Sequence, residues 1–555
     1  MFNKAFREAY HETPTEFRSA HRTKRQEQKA VTRQLEKKIQ NLIQGDGVTA
    51  APENTGRLEL SAAAGDGEKF SFIWNQIINI GAAQDLLRSE IQKHVILLKE
   101  GLHFTYARIW SPFTREMFID PGSTAETYNF SRLDAVFDFL VEHGLKPFLE
   151  IASKPRRVTG SVHRSLFLET YESVQQDQNW ERLLDAFLRH IVARYGREEV
   201  NAWKFELWFD SDHMGNPILI AGYANRLRTA LELVHRYSDA KVGGCGLHGY
   251  ASGMELKARR EKAFQETMER QQVEPDFFTL YAYAYDSYEE NGKVLSRQSA
   301  DPDFMRVILD NARRDLAEQL KTKKLVVTEW NLSVSDRNPI NDSCYRAAYM
   351  VRNLIDMIGR TEAVACYVGS DRVLEFYDST KVLFGGNGLL SRDGIFKPAA
   401  YALEFMNHLY PYCIAKNANG ILTTDRHGNF AAVLHNERPL NYTYYMTEED
   451  EIDYRHLERY FTDLNPLETT IKIADLGDRS YQMRMYRVGE GTGSVQHVWG
   501  KLGYEEDLSR EDVLYLRRSC EPELTLQKVR TDGGTLSVRV RLGANEILFV
   551  GLIAI

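Results

Sequence analysis

Residues 132–152, "RLDAVFDFLVEHGLKPFLEIA", set an amphipathic helix (132–144) directly before a short apolar run (146–152). The same order recurs along the chain. Strand-like runs stand at 104–110 (FTYARIW), 146–152, 202–209 (AWKFELWF), 240–246 (AKVGGCG), 277–285 (FFTLYAYAY), 324–330 (KLVVTEW) and 363–369 (AVACYVG). Amphipathic stretches such as "WERLLDAFLRHIVARYG" and "DSCYRAAYMVRNLIDMIG" lie between them. Strand–helix alternation sustained over this length predicts an α/β fold with a parallel sheet, closed into a (β/α)8 barrel. An open doubly wound sheet is the competing architecture. Neither GxGxxG nor GxxxxGK[ST] follows any of these runs, which weighs against it.

On either side of that region the texture changes. Residues 412–555 offer short β runs ("FAAVLHN", "QMRMYRV", "TLSVRVRL") between Gly, Asn and Asp turns, so 411–555 reads as a β-sandwich accessory domain. "RLELSAAA" (57–64) is a strand that could join it, and "ILFVGLIAI" (547–555), too short for a membrane span, reads as a closing strand. Residues 45–56, "GDGVTAAPENTG", form a Gly/Pro/Asn-rich break. The organisation expected is therefore a helical piece at 1–45, the barrel at 57–410 and the β domain at 411–555.

All 555 residues together carry a net charge of −8, unevenly spread. Residues 1–45 hold ten Lys/Arg against five Asp/Glu, a net of +5, leaving −13 on the remainder. A basic N-terminal piece on an acidic body is implied. The five cysteines (Cys245, Cys344, Cys366, Cys413, Cys520) fit neither a zinc spacing nor a disulfide framework. No apolar leader follows Met1. Together these features predict a cytoplasmic protein with reduced thiols, no metal and no membrane partner.

Active sites of parallel barrels gather at the C-terminal ends of the strands. "KLVVTEWN" places Glu329 at such an end, followed by Trp330 and Asn331, and "WKFELWFDSD" places Asp210 at another. Cleavage of a glycosidic bond needs two carboxyl groups flanking it. These two acids are a candidate pair, although strand-end acids are more often caps or solvated rim residues. Period-two alternation puts Glu206, Trp208 and Asp210 on one face, with Glu206 about 6–7 Å deeper in the barrel. That depth suits a hydrogen-bonded structural glutamate.

Long ordered stretches of 57–408 resemble family 39 of the glycoside hydrolases, which includes β-xylosidases and α-L-iduronidases. They are "FTYARIWSPFTREM", "YNFSRLDAVFDFLVEHGLKPFLEI", "RYGREEVNAWKFELWFD", "VVTEWNLSVSDRNPINDSCYRAAYMVRNL" and "LFGGNGLLSRDGIFKPAAYALEFMNHL". The resemblance implies a retaining mechanism without a cofactor. It makes Glu329 the nucleophile, Asp210 the acid/base and Arg108 a ligand-site cation that keeps the nucleophile ionised, with structural anchoring of the strand ends as Arg108's other role. Trp110, Trp208, Phe209, Tyr281, Tyr283, Trp330 and Asn331 become candidate ligand contacts, the ligand being a mono- or oligosaccharide, xylose-type among the options.

The departures from the pattern matter as much. The acid/base strand of the family ends Trp-Asn-Glu-Pro; here it reads Trp208-Phe209-Asp210-Ser211. The acid is one methylene shorter, and the amide that would reach a sugar 2-hydroxyl is gone. A misplacement of about 1 Å can cost around a hundredfold in rate. Trp110 stands where the family has His, and Tyr281 stands where a His-x-Tyr-Pro pattern is expected.

A second resemblance lies at the N-terminus. "FNKAFREAYHETPTEFRSAHR" (2–22), with its Phe-Asn-x-x-Phe, Thr13-Pro14 and Phe17-Arg18, is similar to the last turn of an AraC-type helix-turn-helix module. Val31, Leu35, Ile39 and Leu42 follow at helical spacing, as a connector or a short dimerising coil that makes a homodimer possible. The two resemblances imply a sugar sensor in a transcriptional regulator, with DNA reached only through the part of the module that precedes this sequence. An active β-xylosidase-like hydrolase is the other expectation.

Overall fold

The computed structural model describes residues 58–119, 128–152, 156–161, 164–169, 177–209, 216–247, 249, 255–290, 293–374 and 381–555. The expected helical piece at 1–45 and residues Asp210 and Ser211 lie outside them. Residues 58–555 form one compact unit.

Eight parallel strands close into a barrel. With strands numbered in chain order, β1 (Leu58–Ala63) and β2 (Glu68–Lys69) precede it. The barrel is β3 (Ile77–Ala82), β4 (Tyr106–Trp110), β5 (Lys146–Glu150), β8 (Lys204–Glu206), β9 (Lys241–Leu247), β10 (Phe277–Tyr283), β13 (Lys324–Asn331) and β14 (Ala363–Cys366). Two antiparallel hairpins, β6–β7 (Arg156–Ser161 and Arg164–Glu169) and β11–β12 (Tyr285–Glu290 and Lys293–Gln298), are insertions. β3 is the strand that the sequence pattern alone did not single out. All six of its residues are buried, as strands covered on both faces must be.

Helices return the chain outside the barrel with their apolar faces inward. In Ser131–Glu142, Leu133, Val136, Phe137, Phe139 and Leu140 are buried. Pro217–Tyr237 starts with Pro at its first position, and the Asn216 side chain accepts from the Ile218 and Leu219 amides at 3.0 and 3.3 Å. That cap fixes where the chain re-enters the helix layer after β8.

The remaining strands build two sheets. β1 pairs in parallel with β18 (Leu467–Ala474), and β21 (Leu536–Leu542) completes a three-stranded sheet. The other has seven strands in the order β2, β15 (Tyr412–Asn417), β16 (Gly420–Thr424), β17 (Phe430–His435), β22 (Ile547–Ala554), β19 (Ser480–Val488), β20 (Glu523–Arg530). Leu60, Ile471 and Val538 of the first meet Leu422, Met483 and Val550 of the second in one apolar core. The region is not purely β: Val495–Lys501 and Arg510–Ser519 are helices, and they pack in a separate small cluster around Trp499.

Inside the barrel the side chains form layers. Ile77, Phe148, Phe277, Val326, Ala363 and Ala365 make an apolar floor near the N-terminal ends of the strands, with Tyr106 packed against it. Above it lies a polar layer.

Candidate active site

The polar layer centres on Arg108 of β4, which is fully buried. Its Nε donates to Glu206 Oε2 at 2.8 Å, and its Nη1 donates to Asn79 Oδ1 at 2.8 Å and to Glu329 Oε1 at 3.0 Å. Thr328 Oγ1 donates to the other Glu206 oxygen at 3.1 Å. Glu150 stands in register with Glu206 on the neighbouring strand and accepts from the Ala152 and Trp208 amides at 2.8 and 3.3 Å. Burial alone would weaken the guanidinium charge, but Glu206 first, then Tyr281 and Glu150, offset this and hold its pKa above the ordinary value. One guanidinium thus stands among three carboxyl groups, whose oxygens can accept hydrogen bonds from hydroxyl donors.

Glu329 reaches this layer through an irregularity in β13. Val326 is on the floor, while Leu325 and Val327 pack in the core shared with the helix layer. Strict alternation from Val326 would turn Glu329 outward with Val327. The register with β10 slips between Val327 and Glu329, and Thr328 and Glu329 both face inward. Such a bulge re-aims a side chain at a barrel rim. Glu329 is 6 % exposed, whereas Glu206 and Glu150 are sealed, so of these three Glu329 is the one that opens to the mouth.

Aromatic rings stand around it. Tyr281 is the register partner of Glu329 on β10, with the Trp208 ring 6.4 Å from its own. Trp110 stacks on Tyr367 at 5.8 Å and 17°. Tyr283 stands two residues beyond Tyr281, and burial pushes both hydroxyls well above the ordinary tyrosine range. They are therefore neutral donors over the whole physiological range.

Two residues expected at the ligand sit elsewhere, and a third has its hydrogen bonds already used. The Phe209 ring packs 4.9 Å from Tyr223 and 5.1 Å from Phe264, both on outer helices. Trp330 stacks on Tyr349 of the helix Cys344–Met357 at 6.2 Å and 19°. For Phe209 the strand pleat, and for Trp330 the slip in β13, turns the side chain away from the barrel axis. Asn331 does face inward, but its amide nitrogen donates to the Tyr367 carbonyl and to Asn387 Oδ1 (2.9 Å), while its oxygen accepts from the Leu332 amide (2.8 Å). It ties the end of β13 to the loop that carries Tyr367. Arg346 supports the same loop, donating to the Asn387 and Gly388 carbonyls at 2.7 and 2.9 Å.

Residues that sequence reasoning missed are Asn79, Glu150 and Tyr367. Glu150 ends "KPFLE", so the strand-end rule that found Glu329 also finds it; Asn79 lies in the overlooked β3. Nothing local marks Tyr367. Among the described residues no cluster of His, Cys, Asp and Glu is placed to hold a metal ion, and no helix is long and apolar enough to cross a membrane.

Comparison with known proteins follows the same architecture. Residues 57–534 match the family model described as "Glycosyl hydrolases family 39". A β-xylosidase from Geobacillus stearothermophilus is 24 % identical over 506 residues, covering 87 % of this chain and 93 % of its own. The crystal structure of the family 39 enzyme from Xanthomonas axonopodis pv. citri superposes with a TM-score of 0.73 at 21 % identity, over 91 % of this chain and all of that one. An uncharacterized HTH-type transcriptional regulator from Staphylococcus aureus is 19 % identical over 489 residues, which are 85 % of this chain and 56 % of the regulator.

Proposed function

Because the chain belongs to glycosyl hydrolase family 39, we propose that its barrel is the carbohydrate-binding sensor domain of a cytoplasmic AraC-type regulator, degenerate as a hydrolase. The observation that carries this reading is Phe209, whose ring is packed on Tyr223 and Phe264. The polar contact that the family pattern places there is gone. Next in sequence stands a shortened acid, Asp210. What is retained serves binding: the Glu329 carboxylate beside Arg108, the tyrosine hydroxyls and the Trp110–Tyr367 pair give a polyol both hydrogen-bond partners and flat apolar surfaces. The similarity to the staphylococcal regulator over 85 % of this chain and the basic 1–45 segment support attachment to a DNA-binding module. Calorimetric titration with xylose and xylo-oligosaccharides, beside an aryl β-xyloside hydrolysis assay, tests it: saccharide binding without turnover is the result expected.

The similarity to β-xylosidases over 87 % of the chain favours a second reading, an active retaining hydrolase. In that reading Glu329 attacks the anomeric carbon while Asp210 protonates the leaving oxygen. Water, deprotonated by Asp210, then releases the sugar from Glu329. Hydrolysis abolished by Glu329→Gln decides for this reading.

A further inference from the structure

The opposite end of the barrel holds a cavity. It has a volume of about 900 Å³ and is walled by Phe72, Ile77, Tyr106, Phe277 and Val326. The floor layer of Phe148, Phe277, Val326 and Ala365 lies between it and Arg108, so it is no extension of the mouth. Four lysines line it, Lys204, Lys241, Lys323 and Lys324, against Asp276 and Glu362. Most of that charge is already matched. Lys323 pairs with Glu274 and Lys324 with Glu362, each at 2.8 Å, while Asp276 accepts from the Val242 amide at 2.8 Å and is hydrogen-bonded with His235 at 2.9 Å.

Lys204 and Lys241 are left over. They are in-register neighbours on the parallel strands β8 and β9, so their backbones lie about one strand spacing apart, ~4.8 Å. Among the described residues neither makes an ion pair. The Lys204 ammonium instead lies 5.0 Å from the Tyr106 ring centre and 5.5 Å from that of Phe277. Burial, and then Lys241, pull its pKa below the ordinary lysine value. An ammonium held on two rings, partly out of water and beside a second cation, is electrostatically unsatisfied. A negative group placed between the two ammoniums relieves the repulsion and repairs the lost solvation.

We infer that this cavity binds a small organic oxyanion, a phosphate monoester or a carboxylate, whose charged group bridges Lys204 and Lys241 while its apolar part lies on Tyr106 and Phe277. The site is independent of how the catalytic mouth is read.

Calorimetric titration of the full chain with phenyl phosphate and, separately, with benzoate tests the inference. Saturable one-to-one binding of at least one probe is expected, weakened at least tenfold by Lys204→Met and by Lys241→Met and unchanged by Lys472→Met, a substitution on the exposed side of β18. The tighter probe identifies the head group. Should Lys204→Met fail to fold, Lys241→Met decides alone, because Lys241 is exposed at the start of its strand. Absence of saturable binding to the wild-type chain, or binding that survives Lys241→Met, overturns the inference.

Discussion

Arg108 and Glu329, 221 residues apart in the chain, meet at 3.0 Å across the barrel, and the same guanidinium also holds Glu206 at 2.8 Å. The carboxylate at the mouth is thereby tied to a sealed one three strands away in the sheet order. Removing one partner of such a buried group strands the others, at a cost of about 3–5 kcal/mol. Arg108→Met is expected to lower the free energy of unfolding by that amount in urea titration. Arg108→Lys, which keeps the charge but loses the fork, falls between it and wild type.

Phe209 fills a place in the helix layer, so restoring the amide of the family pattern does not restore its function. Phe209→Asn leaves a cavity against Tyr223 and Phe264 and buries an unmatched amide, a loss of about 3–5 kcal/mol. Urea unfolding measures the loss, and aryl β-xyloside turnover is expected to stay at the wild-type level.

Trp110 and Tyr367 present a stacked pair at the mouth. Replacing Tyr367 by Ala removes an aromatic contact of about 1 kcal/mol, so affinity for the saccharide found by titration should drop about fivefold. Two-state unfolding of the variant checks that the loss is local.

Two buried groups in the β region titrate in opposite senses. Burial, then Arg352, lower the His435 pKa to about 3. The unfolded chain therefore takes up this proton first, and stability is present above about 6.5, the ordinary histidine value, and is lost as pH falls towards 3. Burial raises the Glu449 pKa to about 7. The folded chain holds that proton, so its contribution is full below the ordinary 4.5 and is lost as pH rises through 7. Between about 4.5 and 6.5 the slopes oppose each other. His435→Gln should make stability fall more steeply with rising pH in that window, and Glu449→Gln should make it rise more steeply; urea midpoints from pH 4.5 to 7 read both.

The alternation of apolar runs and amphipathic helices made the barrel legible, because a doubly covered parallel sheet and its crossover helices leave distinct periodicities. The strand-end rule found Glu329, and period-two counting found the buried role of Glu206, which Arg108 and Thr328 bear out in their hydrogen bonds. Counting failed where the backbone departs from the ideal pleat. The slip in β13 is what turns Glu329 inward and Trp330 outward, and no local signal in "VVTEWN" announces it. Phe209 was misjudged for a different reason: period-two counting from Glu206, Trp208 and Asp210 already puts it on the outer face, but the position in the family pattern drew it to the ligand. Its partners Tyr223 and Phe264 are 14 and 55 residues away in the chain. Asn331 shows the converse, a polar side chain in the right place whose hydrogen bonds are consumed by a loop 36 residues further on.

On the function proposed, this mouth holds a sugar without cleaving it, and Glu329→Gln separates binding from cleavage. The substitution keeps the shape of the side chain and leaves Arg108 paired with Glu206. Wild type and variant are compared for xylo-oligosaccharide binding by calorimetry and for aryl β-xyloside hydrolysis under the same conditions. Wild type is expected to bind saturably, the variant with affinity within about tenfold of it (about 1.4 kcal/mol), and neither is expected to hydrolyse the glycoside. Multiple turnovers by wild type that disappear in Glu329→Gln would contradict the function proposed.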